Sequence, residues 1–159
     1  MNEDVAKAEA EPGEDVEVKD VKSATTTAAI TTDSQGFVYA IGTTGGDLGA
    51  QFGDGADDVF LTKFSSTGEV IFSRLLGTRG EAEGFAITTD ANDNIIIAGQ
   101  TSGGVADGQS LAGHDSFIVK FNNQGDEVFR RQLDTAANDG ALGLATTTNG
   151  DIIVSGFTS

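Results

Sequence analysis

Apolar and polar residues alternate in short runs along most of this chain, and the runs come back. In Asp115-Ser-Phe-Ile-Val-Lys-Phe121, Phe117, Val119 and Phe121 alternate with Ile118 and Lys120, the period of two that a pleated strand requires. In Glu127–Leu133, Val128, Arg130 and Gln132 alternate with Phe129, Arg131 and Leu133. Phe85–Thr89 and Asn94–Thr101 read as two further strands. Between them lie Asp90-Ala-Asn-Asp93 and Asn122-Asn-Gln-Gly125, runs of residues that tolerate turn conformations, and a Gly-rich loop from Ser102 to Gly113. No segment carries a period-3.6 stripe capped at both ends. The pattern predicts an all-β chain built from antiparallel modules of four short strands.

The module repeats at a fixed offset of 57 residues. Ala29-Ile30-Thr31-Thr32-Asp33 returns as Ala86-Ile87-Thr88-Thr89-Asp90. Gly42 falls on Gly99, Asp58 on Asp115, Phe60 on Phe117, Lys63 on Lys120, Phe64 on Phe121, Arg74 on Arg131 and Leu76 on Leu133. A partial third copy sets Leu144 on Ile87, Ile152 on Ile95 and Gly156 on Gly99. The expected organisation is an acidic tail or linker over 1–23, full units over 28–84 and 85–141, and a fragment over 142–159. Val16, Val18 and Val21 within the tail read either as one edge strand or as more linker.

Radial repetition of four-stranded antiparallel sheets is the plan of a β-propeller. A parallel β-helix has shorter rungs and does not need tight hairpins, so the propeller is the expected architecture. Two and a part units fall short of a ring of about four to eight blades, so the ring is expected to be incomplete. Repeat units cover one another's apolar faces. Further repeats, or other protein chains, are therefore the expected partners. A homo-oligomer, or strand exchange through Val16–Val21 or the half-blade ending at Ser159, would serve the same end.

The recurring order of an Asp-turn, Gly-x-Thr (Gly42, Gly99, Gly156), a Gly-rich loop, Asp-x-Phe-x-x-Lys-Phe and Phe-x-Arg-x-Leu resembles the bacterial SBBP repeat, the seven-bladed β-propeller repeat. Leu76-Gly77-Thr78 matches its closing residues, whereas Asp134 stands where that glycine is usual. Tyr39 fits an aromatic common in the second strand, and Ile96 and Ile153 replace it in the later copies. The resemblance covers about residues 24–159 and implies a propeller in a large bacterial surface or secreted protein. It implies an architecture and no enzymatic activity.

Charge sharpens this picture. Acids outnumber bases 25 to 9 in 159 residues, a net charge of −16, of which −5 lies in residues 1–22. Such an excess repels phosphate backbones and anionic membrane surfaces, so nucleic acid is not expected as a partner. No apolar run approaches the ~20 residues of a spanning helix. Cysteine is absent, which removes disulfides and thiol chemistry. Met1-Asn2-Glu3-Asp4 lacks the basic-then-apolar layout of a signal peptide, so the expected extracellular or cell-surface location rests on the resemblance.

Candidate chemistry is sparse. A group needed for catalysis is needed once, whereas a group present in every unit serves the unit. Asp58 and Asp115, Lys63 and Lys120, and Arg74 and Arg131 recur, and are expected to hold turns and bridge strands. Asp90, Asn92 and Asn94 offer oxygens at the first, third and fifth positions, the opening of a calcium loop. The same residues also make an ordinary hairpin turn. Ile95 and Thr101 stand where that loop needs Gly and Glu, and the first copy, which opens on Asp33, offers fewer ligands. Asp54, Asp57 and Asp58 form a second acidic cluster with a similar claim on calcium. His114, the only histidine, replaces Asp57 and has no nucleophile motif beside it. Gly45-Gly46 and Gly103-Gly104 lack the Lys-Ser/Thr of a phosphate loop. Arg79 with Glu81 and Glu83 is the remaining unrepeated polar group.

The sequence therefore points to a non-enzymatic structural or interaction module of a bacterial surface or secreted protein, a fragment or subunit of a larger assembly. A propeller binding glycan or calcium, or part of a propeller enzyme with its active residues elsewhere, stays open beside it.

Overall fold

The computed structural model describes residues 7–9, 17–19, 25–46, 57–76, 78, 80–104, 113–133 and 135–159. Among these, twelve strands and no helix form: β1 (Lys7–Glu9), β2 (Glu17–Lys19), β3 (Thr25–Thr32), β4 (Val38–Thr44), β5 (Asp58–Phe64), β6 (Val70–Leu76), β7 (Ala82–Thr89), β8 (Ile95–Thr101), β9 (Asp115–Phe121), β10 (Glu127–Leu133), β11 (Asp139–Thr146) and β12 (Ile152–Thr158). Asp54, Phe52, Gly77, Arg79, Asp134, Val16 and Val21 lie outside the described residues, as do most of the 45–57 and 102–114 loops.

The strands pair with their sequence neighbours, all antiparallel. They make two four-stranded sheets, β3-β4-β5-β6 and β7-β8-β9-β10, and two-stranded sheets β11-β12 and β1-β2. The third and fourth strands of the second unit fall where alternation sets them. The first strand runs three residues further back than the pattern indicates, from Ala82 rather than Phe85. Those residues are held by pairing: Ala82, Glu83 and Gly84 lie opposite Thr101, Gln100 and Gly99, and Phe85 is the extra residue of a bulge before Ala86. The same bulge recurs at Ala28 and Leu142, so the other first strands begin at Thr25 and Asp139. Val18 lies in β2, which pairs with β1 instead of joining a four-stranded sheet.

The sheets stack face on face. Tyr39, Ile41, Val59, Leu61 and Leu76 of the first meet Ile95, Ile97, Phe117, Val119 and Phe121 of the second, and all are buried. Strand β7 packs against β3, β4 and β5, and β11 packs in the same way against β7, β8 and β9. Each large side chain removed from water here contributes about 1.5–3 kcal/mol.

Among the described residues the sheets do not close into a ring. Leu76, covered by the second sheet, is 3% exposed, whereas its counterpart Leu133 faces a sheet of two strands and is 51% exposed. Ile96 is fully buried, yet Ile153, the same residue at the same place one unit later, is 55% exposed, because no described residue covers that face. No helix among the described residues is long and apolar enough to cross a membrane.

Candidate functional site

The polar chemistry of the chain gathers at hairpin turns and at the seams between sheets. Five turns share one plan: Asp33–Phe37, Ser65–Glu69, Asp90–Asn94, Asn122–Asp126 and Thr147–Asp151. In each, the first residue donates its amide to the carbonyl of the fifth, and the fourth donates its amide to the carbonyl of the first. The fourth residue has positive φ and is Gly36, Gly68, Gly125 or Gly150, with Asp93 (φ 60) the exception. The side-chain oxygen of the first residue closes the turn. Asp33 accepts from the amides of Gln35 and Phe37, Asp90 from Asn92 and Asn94, and Asn122 from Gln124 and Asp126. Ser65 and Thr147 do the same work with hydroxyls.

Seam contacts repeat with the unit. The Thr89 hydroxyl donates to the Thr32 carbonyl at 3.0 Å, and the Thr146 hydroxyl to the Thr89 carbonyl at 2.9 Å. The Ala82 amide donates to the Asp57 carbonyl, and the Asp139 amide to the His114 carbonyl, both at 2.7 Å. The unit thus uses the backbone of position 57 or 114, and either Asp or His serves there. Thr89→Val should lower stability by about 0.5–1.5 kcal/mol, read by urea denaturation. No change would mean the threonine ladder carries no load.

The two full units differ in how they satisfy their first carboxylate. In the second, Lys120 Nζ lies 2.7 Å from Asp90 Oδ2, and the Asn94 side-chain amide also donates to Asp90. Burial pushes the Asp90 carboxyl up, but the hydrogen bonds from Lys120, Asn94 and the turn amides outweigh it and bring it down to about 2. In the first, the Tyr39 hydroxyl donates to Asp33 Oδ2 at 2.8 Å. Burial, then this bond, raises the Tyr39 hydroxyl far above its ordinary value. Lys63 turns to the next sheet instead, donating to the Asn123 carbonyl at 2.9 Å with its ammonium 4.1 Å from the Phe37 ring centre. Burial lowers its pKa. Arg74 follows it across the seam, its Nε donating to the Gly125 carbonyl.

Asp93 bridges the other way. Its carboxylate accepts from the Ser34 amide and hydroxyl and from the Gln35 amide group. The two Ser34 bonds lower its pKa. Sequence reading missed this clamp, and its one signal was an Asp where the other turns carry Gly.

Of the proposed calcium oxygens, those of Asp90 are turn acceptors, and the Asn94 side chain turns its amide nitrogen to Asp90. Both Asp90 oxygens receive donors, and a cation there would have to displace Lys120. Among the described residues no three Asp, Glu or His side chains gather into a metal cage. Asp58 and Asp115 open the third strands and are buried. Asp115 Oδ2 accepts from Gln132, while its Oδ1 has no hydrogen-bond partner. Gly42, Gly99 and Gly156 lie across from the strand residue just before each bulge.

No family model matches the chain. It is similar to the regulatory protein FlaEY of Caulobacter vibrioides, 28% identical over 118 residues. That stretch is 69% of this chain and 12% of the length of FlaEY.

Proposed function

We propose that the chain is a section of a β-propeller built on the SBBP type of repeat. It serves as a non-enzymatic structural or interaction module of a bacterial cell-surface or secreted protein and works within a larger assembly. The observation that carries this reading is the recurrence of the seam bonds. Thr89 to Thr32 and Thr146 to Thr89, like Ala82 to Asp57 and Asp139 to His114, are one contact advanced by one unit. Each sheet is therefore laid on the last by the same operation, as blades are around a propeller axis. The exposed Leu133 and Ile153 mark the faces that further repeats or partner chains would cover. That a longer regulatory protein contains a similar stretch supports a module within a larger chain. The recurring polar side chains serve turns and seams, and this favours scaffolding over catalysis.

Light scattering tests the assembly. The chain alone should show a mass above 16.3 kDa. Leu133→Asp with Ile153→Asp should weaken self-association about tenfold or more, since two apolar contacts are each worth over 1 kcal/mol. A strictly monomeric chain with full β circular dichroism would sink this reading.

A further inference from the structure

The seam between the first two sheets opens on one side into a groove of about 500 Å³ lined by Gln35, Phe37, Lys63, Phe72, Arg74 and Gln124, with Ile71 and Asn123. No acid among the described residues lines it, although the chain has 25 acids and 9 bases. Its two cations are unusual for such a chain. Lys63 is only 6% exposed and donates to a carbonyl. Arg74 lies 4.9 Å from the Phe72 ring centre and also donates to carbonyls, those of Gly125 and Ser73. Among the described residues neither has a carboxylate within ion-pair distance. The acids that act on Lys63 are Asp33, which accepts from Tyr39, and Asp93, which accepts from Ser34.

The setting of these cations is not part of the repeat. In the second unit Asn94 and Ile96 replace Phe37 and Tyr39, so Asp90 is open to Lys120 and takes it. Tyr39 closes Asp33 to Lys63, and Phe37 gives the displaced ammonium an aromatic face. Two sequence changes thus free a buried cation and direct it, beside Arg74, into a cleft. Lys63 and Arg74 recur as Lys120 and Arg131, so what departs from the repeat is their setting, Phe37 and Tyr39, and that departure is what leaves them to a ligand.

We propose that this groove binds a sugar acid, a uronic acid residue. Its carboxylate supplies Lys63 and Arg74 with the direct ion-pair partner they lack, and its hydroxyls meet the Gln124 amide at the rim, the Gln35 amide being held by Asp93. A single carboxylate suits two cations that already spend donors on the backbone. The amide lining suits hydroxyl groups better than an apolar peptide side chain. The inference needs only the seam between the two full sheets, and it holds whether or not the chain completes a ring.

Titration of the whole chain with sodium galacturonate and short oligogalacturonates, followed by NMR or calorimetry, is the test. Galactose, inorganic phosphate and a tetraglutamate peptide are the comparison probes. Galacturonate should bind at least about tenfold tighter than galactose, because the charge-assisted bonds are lost in the neutral sugar. Phe37→Asn with Tyr39→Ile, which installs the second unit's residues, should return Lys63 to Asp33 and weaken binding about tenfold. Arg74→Gln, on a partly exposed outer strand, should do the same should the double variant fail to fold. Arg131→Gln, at the matching place of the second unit, should leave binding unchanged. Equal binding of galactose and galacturonate, undiminished binding by folded Arg74→Gln, or tighter binding of phosphate or tetraglutamate would each overturn the proposal.

Discussion

Gly99→Ala should leave little folded protein, with a loss of about 3 kcal/mol or more. The cause is a close approach of two backbones. Gly99 in β8 lies opposite Gly84, directly before the bulge of β7. The bulge swings the Glu83 carbonyl under the Gly99 Cα. A Cβ there would fall far inside 3.0 Å of that carbonyl oxygen and 2.9 Å from Phe117 Cζ. The carbonyl belongs to the ladder, and Phe117 is fully buried, so neither can give way cheaply. Gly42 faces the Thr26 carbonyl in the same way, and Gly42→Ala should match it. Gly156→Ala meets the Gly140 carbonyl too, but β12 is a sheet edge and can shift, so its cost should be smaller. Urea denaturation followed by circular dichroism reads all three. A Gly99→Ala chain within about 0.5 kcal/mol of the parent, the range of a neutral surface change, would show that the bulge is not where it is described.

That glycine was visible in the sequence as a repeat position, but its reason was not. Alternation and turn residues located most strands: β9 alternates across a sheet with a buried face, and the Asn122–Asp126 turn separates it from β10, whose residues are exposed or half-buried. The offset of 57 residues supplied the rest. Ala82-Glu83-Gly84 carries no strand preference, and these residues are extended only because Gly99–Thr101 pairs with them. Oxygens at Asp90, Asn92 and Asn94 are spaced alike for calcium and for a side-chain-closed turn. What separates the two is Lys120, thirty residues away and two strands across the sheet, a contact that no local spacing encodes. His114 is unrepeated and has no nucleophile motif beside it, and the repeat takes its carbonyl, which every residue has. Tyr39 was recognised as a departure from its copies. Its consequence for Lys63 needed the tertiary arrangement of the Asp33 turn.

The Asp90–Lys120 pair should make the second unit sensitive to acid. Its carboxyl is brought down to about 2, against an ordinary value of 3.8, by the Lys120 ammonium and the turn donors working against burial. A folded value below the unfolded one means that the ionised group stabilises the fold above pH 3.8, and that this share is lost as pH falls through about 2. Asp90→Asn isolates the charge, because an amide oxygen still accepts from the Asn92 and Asn94 amides. At pH 7 the variant should be about 2–3 kcal/mol less stable, since a mostly buried ammonium loses its partner and the new amide opposes the Asn94 amide. The gap to the parent should shrink between pH 4 and pH 2, as the parent carboxyl itself becomes neutral. Calcium should leave the parent's melting temperature unchanged, because Lys120 already fills the cation's place. Denaturation curves for both chains at pH 7, 4 and 2.5 decide the matter. A gap that stays constant across that range would mean the pair contributes geometry alone. A calcium-dependent rise in melting temperature that Asp90→Asn abolishes would mean that Lys120 gives way.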